Sequence, residues 1–243
     1  MKDLDSIMQK FYKLMIRIIN AVVFRIRRLF RKNYDRFLKK ASGVIHVGAN
    51  TGQEMELYAK YRLPVIWIEP IPEVFETLKK NLLSVSGQQA IQGLITDMDN
   101  EEYQFHIANN YGAASSIFEL ELCQDIWTEI KYDKTIVLKS KTLPSLLQEN
   151  DIDISGYDTL IMDTQGSELL VLKGALPILQ NFTYIKTEVA DFESYKGCCK
   201  LSDIESFLLD QGYEEYLRHK FITHPEGGNY YDIVYKKIKK RAS

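Results

Sequence analysis

The chain has 243 residues, 45% of them hydrophobic, enough for one well-buried domain with an appendage. Its net charge is −2 but unevenly spread: residues 1–40 carry 12 Lys and Arg against 3 Asp and Glu, leaving 19 basic and 30 acidic residues for the rest. An acidic body with a basic leading segment excludes a nucleic-acid-coating protein, which needs positive charge around its groove.

In the first forty residues Phe11, Leu14, Met15, Ile18, Val22, Ile26 and Leu29 recur at helical spacing, with Lys13, Arg17, Asn20, Arg27 and Arg31 opposite. The longest apolar run, 18–24, is interrupted by Asn20 and falls short of the roughly 20 residues that span a bilayer. No small-residue cleavage site follows it, so a signal peptide is not expected. Residues 1–42 read as a basic amphipathic helical segment, and two roles stay open. It lies on an anionic membrane, which sets the protein at the inner face, or it packs on its own domain or on a second subunit in a homo-oligomer.

From residue 43 to 243 short apolar strands alternate with helical patterns. Strands are predicted at "VIHVGA" (44–49), "VIWIEP" (65–70), "QAIQGLI" (89–95), "YDTLIMDT" (157–164) and "TYIKTEV" (183–189). Helices are predicted over 51–60, over 72–83 behind Pro72, over 167–180, and over 201–213 with a Ser202 cap, Glu205 three residues on and a stop at Gly212. The closing strands "EEYLRH" and "YYDIVYKK" are joined too tightly for a crossover helix, so they form an antiparallel pair at the sheet edge. Residues 96–142 break the rhythm with a hairpin in "EEYQFHIANN" and a strand in "KTIVLKSKTL", an insertion near the active site. The expectation is an α/β fold, mostly parallel, with helices on both faces and one domain over 43–243.

Ligands in such sheets sit beyond the carboxyl ends of the strands. In "VIHVGANTGQE" Gly48 and Gly52 permit a tight turn and close backbone approach, and a helix beginning near Thr51 aims its free N–H groups at an anionic group. A dinucleotide site wants G-x-G-x-x-G, but Asn50 stands at the second glycine and the third is missing, which disfavours a pyrophosphate. S-adenosyl-L-methionine has a ribose and an amino acid but no phosphate, and Glu69 at the next strand end suits its ribose hydroxyls. "MDTQGSE" sets Asp163 at the end of the fourth strand with Gln165 beside it, and Glu188 ends the fifth. These three are the candidate catalytic residues, the two acids converging on one opening where a carboxylate takes up a hydroxyl proton. Glu168 and Lys173 are expected at the helix surface.

"VIHVGANTGQE", "WIEPIP", "ITDMDN…FHIANNYGAASSI", "TLPSLL" and "YDTLIMDTQGSELLVLKGA…IKTEV" together resemble the FkbM-type methyltransferases, a branch of the class I S-adenosylmethionine-dependent enzymes, over roughly residues 43–235. The resemblance implies a Rossmann-like seven-stranded sheet with an antiparallel last strand. It implies that Gly48, Asn50 and Gly52 line the methionine part of the cofactor, that Glu69 binds the ribose, and that Thr96 and Asp97 face the adenine. Ser115 and Ser116 would lie near the cofactor or acceptor. His46 stands where the class often has an acidic residue. The implied reaction is O-methylation of a sugar or similar small polar acceptor.

Three other readings compete with this one. A nicotinamide-dependent oxidoreductase needs the glycine that Asn50 replaces, and a non-catalytic membrane-associated module would keep only the cofactor pocket. A divalent metal held by Asp163 and Glu188 is a further variant, not favoured. Cys123, Cys198 and Cys199 include no C-x-x-C pair and make a poor disulfide framework, which fits a reducing cytoplasm, and the histidines lack ligand spacing to them, so no zinc site is expected. No role is assigned to His106, His219 or His224. Tyr111, Tyr132, Tyr195 and Tyr230 are expected in loops near the cleft, where aromatic faces suit sugar rings.

Overall fold

The computed structural model describes residues 34–239. The chain divides into two compact units after Lys40. In the first, Asp35–Lys40 form a short 3-10 helix. The amphipathic helix expected over the leading segment lies, through residue 33, outside the described residues.

The central strands of the second unit are shielded at every position. β1 (Val44–Val47) and β2 (Val65–Glu69) are buried along their whole length, which is what a strand covered on both faces requires. Between them the chain turns before entering α1 (Met55–Lys60). The helix expected from Thr51 thus begins four residues later. Asn50 and Gly52 have φ of 45° and 81°, and a right-handed helix cannot form through two left-handed residues. α2 (Pro72–Leu82) opens on its proline as expected.

The third strand differs from the one expected over 89–95. β3 (Gln88–Gln92) pairs with β2, but after Gly93 the chain leaves the main sheet as β4 (Leu94–Ile95) and pairs with residues 140–141. The expected hairpin within "EEYQFHIANN" is one strand, β5 (Glu102–Ala108). It pairs antiparallel with β6 (Tyr132–Lys141), beyond a loop holding the short α3 (Cys123–Ile126). Residues 94–141 therefore build a second sheet, ordered β4-β6-β5.

α4 (Leu143–Glu149) leads back to β7 (Thr159–Met162), again wholly buried, which lies against the free side of β1. α5 (Glu168–Gly174) follows. The single helix expected over 167–180 is two pieces, because Pro177 supplies no N–H and a 3-10 helix, Leu176–Asn181, takes over. After β8 (Tyr184–Ala190), α6 (Leu201–Asp210) is capped by Lys200 and not by Ser202, the Asp203 carboxylate accepting the Lys200 N–H at 2.8 Å. β9 (Tyr213–Thr223) and β10 (Asn229–Lys237) complete the sheet in the order β3-β2-β1-β7-β8-β10-β9, with β10 antiparallel to both neighbours. The seven-stranded, mostly parallel architecture with one reversed strand is the one expected. The chain runs outward from β1 to β3 and returns beside β1 as β7, so the strand order reverses between β1 and β7, where open α/β sheets bind ligands.

Candidate active site

Register decides which residues meet. Val47 lies level with Ile68 on one side and Met162 on the other, so the next residues, Gly48, Glu69 and Asp163, leave the sheet at one height. Gly48 has φ 82°, and a Cβ there would stand 1.9 Å from the Asp163 carbonyl oxygen. The missing side chain is therefore demanded first by the protein's own backbone. Gly52, also expected to line the ligand, instead faces Leu78 of α2, whose Cδ1 would lie 2.9 Å from an added Cβ.

Asn50 ties this turn to two neighbours. Its N–H donates to Glu69 Oε2 at 2.8 Å, and its Nδ2 donates to the Tyr111 carbonyl at 3.1 Å. Glu69, only 3% exposed, also accepts the Ile71 N–H on Oε1 at 2.9 Å. Burial raises its carboxyl to about 7, the two N–H donors working against that shift and the Asp163 charge adding to it.

The "DTQGSE" stretch folds around a residue expected at the helix surface. Glu168 is buried, and Oε1 accepts the Thr164 N–H at 2.8 Å and its hydroxyl at 3.0 Å, while Oε2 accepts the Gly166 N–H at 3.0 Å. Its position in the first turn of α5 was visible in the sequence, but periodicity alone does not show that the turn folds back onto it. Lys173 is exposed, as expected. The clamp leaves Gln165 at φ 53°, its carbonyl accepting the Ser116 hydroxyl at 2.7 Å. Gln165 Nε2 donates to Asp163 Oδ1 at 2.6 Å, and Gln165 Oε1 accepts the Tyr195 hydroxyl at 2.6 Å. Burial raises the Asp163 carboxyl to about 7; the Gln165 hydrogen bond lowers it, and Glu168, Glu54 and Asp232 raise it further.

Several of these residues line an open cleft at the strand ends. His46, Gly48, Asn50, Glu69, Ser115, Asp163 and Gln165 line it, seven of the residues singled out from the sequence. Ser115 Oγ accepts the Ala108 N–H at 2.9 Å and so shapes the loop that forms one wall. Ser116 stands behind that wall, fully buried. The remaining candidates are elsewhere. Thr96 is wholly buried with its hydroxyl on the Met98 carbonyl, and α5 packs against it so closely that a Cβ on Gly174 would lie 2.1 Å from the Thr96 oxygen. Asp97 follows it away from the cleft, whose wall is formed instead by Gly93, Leu94 and Ile95.

Glu188 does not share the opening of Asp163. It lines a smaller cavity with Glu168, Tyr195, Cys199 and Tyr230, and Gln165 is the residue common to both. Of the four tyrosines expected in loops, Tyr132 and Tyr230 lie in β6 and β10.

His46 is buried, stacked on Trp67 at 5.1 Å and hydrogen-bonded through Nδ1 to Tyr58 at 3.1 Å. Burial lowers its pKa to about 4, so the ring is neutral near pH 7. Glu54, which no sequence pattern singled out, lines the same cleft as His46. Among the described residues no group of three or more His, Cys, Asp or Glu is placed to hold a metal, and no helix is long and apolar enough to cross a membrane.

Residues 46–215 match the family described as the methyltransferase FkbM domain. No curated protein matches the chain. Among solved structures it is similar to Sp1610 of Streptococcus pneumoniae in complex with S-adenosyl-L-methionine (11% identity, 87% of this chain and 75% of that one, TM-score 0.47). It is also similar to magnesium protoporphyrin IX methyltransferase from Synechocystis PCC 6803 with bound SAM (12%, 80% and 69%, 0.43). A third is TrmK of M. capricolum with S-adenosyl-homocysteine (8%, 83% and 65%, 0.46).

Proposed function

The chain belongs to the FkbM methyltransferase family, and from that premise we propose that it moves the methyl group of S-adenosyl-L-methionine onto a hydroxyl of a sugar or similar small polar acceptor. The observation that carries this reading is the pair Glu69 and Asp163, two buried carboxyls with pKa raised to about 7 that line one cleft from the strands on either side of β1.

The residues fit such a cofactor. Each Glu69 oxygen accepts one backbone N–H and keeps a lone-pair direction, so the carboxylate can still receive two vicinal hydroxyls. Ile71, Leu94, Ile95 and Phe105 supply an apolar wall for a flat ring. Glu54, together with Glu69 and Asp163 in their ionised forms, gives the cleft an acidic lining that favours a cationic ligand. Asn50, its side-chain amide bonded to the Tyr111 carbonyl, stands where a dinucleotide motif has its second glycine, which speaks against a dinucleotide.

When bound, the cofactor supplies the activated methyl group. The chain's own residues align the acceptor, exclude water and take up a proton. Asp163 is the group that takes the proton. Its carboxyl stands at the cleft with a pKa near the working pH, the condition under which a base is both ionised and able to hold the proton it receives. Calorimetry with S-adenosyl-L-methionine and with NAD tests the assignment. Binding of the first and not the second is expected, and the reverse would overturn it.

The basic residues 1–40 support a peripheral contact with an anionic membrane at the inner face of a cell, each Lys or Arg near the surface contributing about 1 kcal/mol. Flotation with phosphatidylserine vesicles, comparing the full chain with one starting at Lys39, tests this; equal flotation removes it.

A further inference from the structure

We propose that Tyr195 is a positioning residue that acts through Gln165 to fix the Asp163 carboxylate, holding Oδ1 and presenting Oδ2 to the incoming acceptor hydroxyl. The proposal rests on the reading of Asp163 as the proton acceptor.

The geometry sets the direction of every bond. A carboxylate only accepts, so the Gln165 end that meets Asp163 Oδ1 at 2.6 Å is Nε2. The opposite end is then Oε1, an acceptor, and the group that meets it at 2.6 Å is the Tyr195 hydroxyl, which donates. If the amide turned over, its carbonyl would face the carboxylate. The phenol is what makes the observed orientation the stable one, because it offers a donor to Oε1 where no other described residue does. Tyr195 is itself 3% exposed and packed with Cys123 and Cys198 beneath Phe118, Leu120 and Trp127, so its hydroxyl is held at a fixed place. Among the described residues Asp163 Oδ1 has the one hydrogen bond, from Gln165, and no bond to Oδ2 is made.

The main chain of Gln165 does not depend on this link. Its carbonyl is held by the Ser116 hydroxyl at 2.7 Å, and the Thr164 and Gly166 N–H groups are held by Glu168 at 2.8 and 3.0 Å. Removing the Tyr195 hydroxyl therefore frees the amide while the loop stays in place. A mobile amide no longer keeps a donor on Oδ1, and the ionised carboxylate loses that stabilisation. The charged groups acting on Asp163 from the surrounding elements are Glu54 before α1, Glu69 at the end of β2, Glu168 in α5 and Asp232 in β10. Those four are acidic, Lys186 of β8 pairs with Asp232 at 3.5 Å, and the neutral His46 of β1 lines the same cleft, so among the described residues the Gln165 amide is the one hydrogen bond that stabilises the charged Asp163.

The test is a carbon-13 carboxyl titration of the full chain labelled at aspartate, with the Asp163 signal identified by its loss in Asp163→Asn. Tyr195→Phe should move the Asp163 midpoint upward while the melting temperature stays near wild type. Gln165→Met should move it upward at least as far, and the double variant no further than Gln165→Met alone, which is the signature of action through the amide. An unchanged midpoint in Tyr195→Phe, or shifts that add in the double variant, overturns the proposal. Calorimetry with S-adenosyl-L-methionine on the same samples separates the two readings. Coupled titration without cofactor binding keeps the relay and removes the proposed function; binding without coupling does the opposite.

Discussion

The main-chain N–H of Asn50 and the carboxylate of Glu69 are 2.8 Å apart, so the first strand-to-helix turn and the end of the neighbouring strand are one hydrogen-bonded unit. Glu69→Ala removes the acceptor for the buried N–H of Ile71, worth roughly 1–3 kcal/mol when left unsatisfied, and for the half-buried N–H of Asn50. Affinity for S-adenosyl-L-methionine should fall by about tenfold or more, and calorimetry reads it. Wild-type affinity would remove Glu69 from the ribose site.

Asp163→Asn keeps the shape of the carboxyl but cannot take a proton. Cofactor binding should be retained while turnover falls by about 10²–10⁴-fold, the usual span for a general base. Release of S-adenosyl-homocysteine with a hydroxylated acceptor measures it, and an unchanged rate would show that the proton leaves by another route.

Gly48→Ala places a methyl carbon 1.9 Å from the Asp163 carbonyl oxygen at a residue whose φ is 82°. Overpacking and left-handed strain each cost about 1–3 kcal/mol, so a loss of roughly 2–6 kcal/mol in urea unfolding is expected. A midpoint within error of wild type would mean that the two strand ends separate at little cost.

Glu168→Ala deprives Thr164 and Gly166 of their acceptor. Destabilisation of about 2–4 kcal/mol is expected, together with a broadened Asp163 titration as the loop loses its fixed conformation. A stable variant with an intact Asp163 signal would show that the loop is held by other contacts.

Glu69 and Asp163 both have carboxyls raised to about 7, from 4.5 and 3.8. The folded state then binds more protons than the unfolded one between about pH 4 and 7, and stability due to these groups falls as pH rises through that window. His46 acts in the opposite sense, its pKa lowered from 6.5 to about 4, so its part of the stability grows from about pH 4 to 6.5. Above about pH 6.5 only the acids contribute. Unfolding free energy of the ligand-free protein should decline there, and Asp163→Asn should flatten the decline. A profile that rises between pH 6.5 and 7.5 would contradict the burial of these carboxyls.

Much of this was legible in the chain. The sheet was readable because β1, β2 and β7 are apolar at nearly every position and the closing strands are joined too tightly for a crossover. Seven cleft residues were readable because they lie at or beside strand ends, and strand ends of such sheets line ligand sites. What escaped was decided by φ and by partners distant in sequence. Asn50 and Gly52 in left-handed conformations delay α1, which no periodicity records. Gly93 passes one apolar run to two sheets, so Thr96 and Asp97 leave the cleft where a continuous strand would have kept them. Glu168 looked like a helix-surface acid because its partners are main-chain N–H groups, and main-chain groups carry no sequence signature. Glu188 was expected to converge with Asp163, but Gln165 stands between their cavities.

The departure of the chain from the main sheet at Gly93 has a consequence for any attempt to shorten this protein. β4 is both the exit from one sheet and the edge of the other, and residues 94–95 wall the cleft from there, while the stretch between β5 and β6 supplies the side facing Asn50. Trimming residues 99–141 as if they were an ornament would leave the parallel scaffold with a trough open to water on two flanks, a fold without a chamber.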